Sequence, residues 1–109
     1  MSENIKVAYE LIELAERELF TGSFSESAIR ADLESRKTTD NLSRFGSSGK
    51  QTNELSAKRQ IYVQELGKWL NSINTALQVL HGSGNLTLDL RCKKCEEQAN
   101  NLLNIVNNF

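Results

Sequence analysis

Leu88, Cys92, Cys95, Ala99, Leu102, Val106 and Phe109 follow one another at steps of four and three residues without a break. That spacing holds apolar side chains on one stripe of an α-helix, and no strand reproduces it over so many turns. Leu103 broadens the stripe. A second line of the same kind runs through Leu55, Tyr62, Leu66, Trp69, Ile73, Ala76 and Leu80, interrupted only by Arg59. Val63, Leu70 and Leu77 repeat beside it at seven-residue intervals, so this helix is expected to face neighbours on two sides. The chain has no proline. Proline removes a backbone donor and clashes with the preceding turn, so nothing forces a break in these long helices.

The remaining segments read the same way. Ile5, Ala8, Ile12, Ala15 and Leu19 predict a first helix from about residue 4 to residue 20, with Val7, Leu11 and Leu14 widening its core face. Gly22 is the expected stop, in the left-handed conformation that glycine adopts without strain. Ser23 and Glu26 have the spacing of a capping box opening a second helix to about Phe45. Its apolar face is thin: Phe24, Ala28, Ala31, Leu42 and Phe45 share one line, Ile29 and Leu33 a shorter one. The run from Arg36 to Asn41 has low helix propensity and is the weakest helical stretch. A turn at Gly46–Gly49 precedes a third helix capped by Thr52 or Asn53. Gly67, inside that helix, predicts a close helix crossing. The segment from His81 to Asn85 ends it, and a last helix starts near Thr87. The fold class expected is all-α: a small antiparallel bundle of about four helices, one domain over residues 1–109.

Composition narrows the function classes. A chain with 39% hydrophobic and 25% charged residues belongs with folded globular domains rather than disordered ones. No apolar run approaches the roughly 18 residues of a membrane-crossing helix. The start, Met1-Ser2-Glu3-Asn4, lacks the basic and apolar regions of a signal peptide. Two cysteines three positions apart make no disulfide framework, and the expected compartment is the cytoplasm.

The net charge of −1 is unevenly spread. Residues 1–33 carry −4, residues 34–60 carry +3, and the remainder is balanced. Arg36, Lys37, Arg44, Lys50, Lys58 and Arg59 supply the basic stretch, but Glu34, Asp40 and Glu54 lie among them. A nucleic-acid-binding domain is usually far more basic.

Few residues offer chemistry. Cys92 and Cys95 have the spacing of a thiolate pair, yet a closed zinc site needs four ligands and only His81 stands ready to join them. Both cysteines fall on the core line of the last helix, where cysteine packs as a small hydrophobe. His81 sits where an imidazolium would favour helix-terminal carbonyls. Glu10, Glu13 and Glu16 alternate with the first apolar stripe and read as a solvated face. No catalytic, cofactor-binding or metal site is expected.

The function expected is therefore a non-enzymatic protein-binding module, an adaptor, chaperone, inhibitor or immunity-type protein. Its contact residues would be Phe24, Arg36, Lys37, Arg44, Phe45 and Lys50, on the second helix and the following turn. The third and fourth helices carry more regular apolar surface than a thin second helix covers, which points to a homodimer or a partner helix. A small nucleic-acid-binding regulator using residues 36–59 is the alternative, and a metal or thiol sensor using Cys92 and Cys95 the next.

Overall fold

A computed structural model describes residues 3–44 and 52–109 of the chain. Four helices follow one another: α1 (Glu3–Glu16), α2 (Glu26–Ser43), α3 (Glu54–Leu80) and α4 (Leu86–Asn107). Among the described residues there is no strand, so the all-α bundle predicted by the periodicity is the fold. The framework is the hairpin of α3 and α4. His81 ends α3, and Gly82 and Gly84 turn the chain at φ +78°, where a side chain would be strained. Asn85 then opens α4, its side-chain oxygen accepting from the Leu88 amide at 3.2 Å.

The two shorter helices lie one beyond the other along this hairpin, each packed on both α3 and α4. Their cross-contacts give the direction. Going up the chain, Glu16 meets Arg91, Leu19 meets Gln98 and Glu26 meets Asn101. In the same direction Asp32 meets Tyr62 and Arg36 meets Glu54. The α1–α2 column is thus parallel to α4 and antiparallel to α3. Four helices fill three columns, and the molecule is a rod of 64 × 19 × 18 Å.

The joint between α1 and α2 departs from the sequence reading. The helix runs on past Glu16 as a π-turn, Arg17–Thr21. The wider turn leaves the Leu19 carbonyl open to the Gln98 side-chain amide, which donates to it at 3.1 Å. Gly22 is not left-handed: its φ of −95° and ψ of −156° are extended. Glycine is needed for space, because a Cβ there would lie 3.0 Å from the Glu18 Cα and 3.1 Å from the Arg17 carbonyl. The capping box also shifts. Ser25, not Ser23, caps α2, accepting from the Ala28 amide at 3.4 Å, while the Ser23 hydroxyl donates to the Glu18 carboxylate.

The second helix turns inward the shorter of its two apolar lines. Ile29 and Leu33 are fully buried, whereas Ala31 and Leu42 are exposed. Asp32 and Arg36 flank that pair and bond to α3, which fixes the rotation of the helix. The stretch expected to be weakest is helical through Ser43, held by tertiary contacts that propensity does not see. The Asp40 carboxylate crosses to the start of α3 and accepts from the Glu54 amide at 2.9 Å and the Leu55 amide at 3.0 Å. Those are amides that an α-helix leaves without internal partners. The Thr52 hydroxyl donates to the same carboxylate at 2.5 Å.

The interrupting residue of α3 has a similar explanation. Arg59 donates to the carbonyls of Val106 and Asn107, at 3.0 and 3.1 Å, and so closes the C-terminal end of α4. Gly67 marks no close crossing, since a Cβ there would meet nothing within 4 Å. Val63, placed on the second stripe of α3, is exposed, while Leu70 and Leu77 of that stripe are half-buried against the core. The heptad line of α4 is buried from Leu88 to Val106 as its spacing predicts, with Phe109 half-buried at the end.

Candidate functional site

Two apolar lines run along α1. Ala8, Ile12 and Ala15, continued by Leu19, are buried between α3 and α4. The second line, Val7, Leu11 and Leu14, was expected to widen the core. Instead Val7 is 62% exposed and Leu14 44%, with Leu11 half-buried between them. The reason is the three-column section: at the level of α1 there are only two neighbours, and the inner line occupies both.

Leu11 and Leu14 of the outer line form one wall of an open groove of about 500 Å³ between α1 and α3, and Val7 continues the line beyond it. Leu11 and Leu14 face Trp69 across it, and Phe24 closes the end at the joint. Phe24 is held edge-on against Tyr62, with ring centroids 6.2 Å apart and planes at 83°. Glu18, Glu65, Lys68 and Ser72 form the polar rim. Lys68 is paired with Glu65 at 3.4 Å. Arg91 of α4 fixes α1 from the far side: it donates twice to Glu16, at 2.9 and 2.6 Å, and lies 5.4 Å from the centre of the Tyr9 ring. The two hydrogen bonds from Arg91 hold the Glu16 carboxyl below its ordinary pKa.

The residues expected to meet a partner are scattered. Phe24 belongs to the groove. Arg36 is engaged by its own fold, donating to Asp32 at 2.9 Å and pairing with Glu54 at 3.5 Å. Lys37 is exposed beside Glu34 and Asn101 in a shallow polar trough between α2 and α4, and Arg44 is exposed at the end of α2. Phe45, Lys50 and the Gly46–Gly49 turn lie outside the described residues. Of the other bases in the stretch, Lys58 sits 5.2 Å from the Tyr62 ring centre and Arg59 caps α4. Three of the six bases are therefore directed at the chain itself.

The surplus apolar surface lies only partly where it was expected. α1 and α2 cover most of the stripes of α3 and α4, but Ile61 and Val63 of α3 stay exposed, and a further apolar line is exposed on the outer face of α1. A separate pair, Leu86 and Leu90, is exposed at the start of α4. Single exposed apolar residues are normal on any protein; a contiguous line with an aromatic opposite is the informative feature.

Cys92 and Cys95 are free, fully buried core residues, and the Cys92 thiol donates to the Ile73 carbonyl at 3.5 Å. Burial pushes both thiols up to about 11, which suppresses the thiolate that metal binding and redox chemistry use. His81 is exposed at the end of α3, its backbone amide donating to the Leu77 carbonyl. Among the described residues no three His, Cys, Asp or Glu side chains gather as metal ligands, and no helix is long and apolar enough to cross a membrane.

No protein-family model, no curated protein and no solved structure matches this chain.

Proposed function

We propose that the chain is a non-enzymatic protein-binding module whose contact surface is the α1–α3 groove and the exposed line along α1. The observation that carries this reading is the exposure of Val7 and Leu14 on a helix whose other apolar line already fills the core. Removing such side chains from water favours association by about 25 cal/mol per Å² of apolar surface covered. A rigid hairpin beneath the groove lowers the ordering cost of binding. The two free cysteines fit a reducing compartment, and the cytoplasm is the proposed site of action. Adaptor, chaperone and inhibitor roles all use such a surface.

The test is a photo-crosslinking amino acid placed at Leu14 in the native host, with Thr38 as control. A discrete adduct, identified by mass spectrometry, is expected at Leu14 alone, and Val7→Glu is expected to abolish it. Adducts at neither position, or equally at both, would overturn the assignment of this face.

A further inference from the structure

Resting on the protein-binding reading above, we infer that the groove takes one amphipathic helix of another protein, apolar on one face and lysine- or arginine-rich at its margins. The shape argues for a helix. The walls are two antiparallel helices, the molecule has three columns, and a helix laid over Leu11, Leu14 and Trp69 supplies the missing fourth. Helix packing then proceeds by the same interdigitation that closes four-helix bundles.

The charge argues for a basic helix from a different chain. α1 and its π-turn carry five acids against two bases. Among the described residues Glu3, Glu10 and Glu18 make no ion pair, whereas Glu16 is answered by Arg91. Lys68, the one base among the described residues that line the groove, is tied to Glu65. A second copy seated about a two-fold axis would bring one α1 against the other, carboxylates against carboxylates, which like-charge repulsion opposes. A basic margin on the occupant meets those carboxylates instead.

The experiment uses the full chain and a displayed library of 18-residue helical peptides. Their apolar face is fixed as leucine at heptad spacing, and the flanking positions vary among Lys, Glu and Gln. Selection is expected to enrich lysine. Trp69, the only tryptophan, lines the groove, so a selected peptide should shift its emission to the blue. Affinity should fall as salt rises and drop roughly tenfold, about 1.4 kcal/mol, in Leu14→Glu. Val7→Glu serves as a second variant, and a thermal melt checks that each is folded. Enrichment of glutamine or glutamate, binding without response from Trp69, or no enrichment at all overturns the inference. So does light scattering that finds a dimer broken by Leu14→Glu. A Leu14 adduct in the host without lysine enrichment leaves the protein-binding reading standing and removes only the basic helix; absence of both removes the two together.

Discussion

Along the rod, α1 and α2 cover the same hairpin by different means. α1 buries Ala8, Ile12 and Ala15, with Leu19 at its π-turn, is tied to α4 at its end by Glu16 and Arg91, and leaves Val7 and Leu14 in solvent. α2 buries only Ile29 and Leu33 and relies on polar bonds to α3 and the residues just before it: Asp32 to Tyr62, Arg36 to Glu54, Asp40 to two amides and Thr52. Apolar contact is non-directional, so α1 has surface to spare for another molecule. Hydrogen bonds are directional, so α2 is committed in rotation and register. The half proposed to bind is the half whose outer face the fold does not need.

The comparison breaks most sharply at Leu33. Leu33→Ala removes one of two buried apolar side chains on α2 and should cost about 3 kcal/mol. Hydrogen exchange should show the loss concentrated over residues 26–43, with α1 little changed. Equal loss of protection in α1 would mean the two halves are one cooperative unit.

Tyr62→Phe tests the polar half directly. Tyr62 is buried and its hydroxyl donates to Asp32 at 2.7 Å. Losing a bond to a charged group should cost about 2 kcal/mol, measured by urea unfolding. Burial works against the Asp32 charge, but the bonds from Tyr62 and Arg36 outweigh it and leave its pKa below 3.8. Asp40 is lowered too, through Thr52 and the Leu55 and Glu54 amides. A carboxylate with a depressed folded pKa contributes stability above its unfolded pKa and loses it as pH falls through the folded value. Acid below about pH 4 should therefore loosen α2. Asp40→Asn is expected to flatten part of that pH dependence in thermal melts.

How much of this was legible depended on whether the cause was local. Leu88 to Val106 were readable as core because a helix repeats every 3.6 residues and one face was buried throughout. The bundle class followed from the same regularity. Placing α1 and α2 in one column was not readable, since it turns on a close approach at Gly22 that no pattern announces. Nor was the Asp40 cap, which joins residues 14 and 15 positions apart. The longer apolar line of α2 misled because Asp32 and Arg36 decide its rotation through partners on α3. At the candidate site, Val7, Leu11 and Leu14 were visible as an apolar line; that Val7 and Leu14 stay in solvent depends on the number of neighbours, which only the assembled bundle sets.

Gly67→Ala probes the hairpin common to both halves. A methyl at that position meets nothing within 4 Å, and alanine is favoured over glycine inside a helix by about 1 kcal/mol. The variant should melt at higher temperature, with groove binding unchanged. A destabilised variant would reveal a close approach at Gly67 and so a different seat for α3.

The smallest effect on stability separates fold from function. Leu14→Gln alters a side chain that is 44% exposed on the outer line of α1. Substitutions away from core and caps usually stay within about 0.5 kcal/mol, so its urea midpoint should match the parent chain. Ile12→Ala, one step round the same helix, removes a side chain that is 1% exposed and should cost about 3 kcal/mol. If Leu14→Gln proves nearly as costly as Ile12→Ala, the outer line is core after all and the groove closes in solution. If only Ile12→Ala destabilises, the two apolar lines of α1 have separate tasks, one holding the hairpin and one left for a partner.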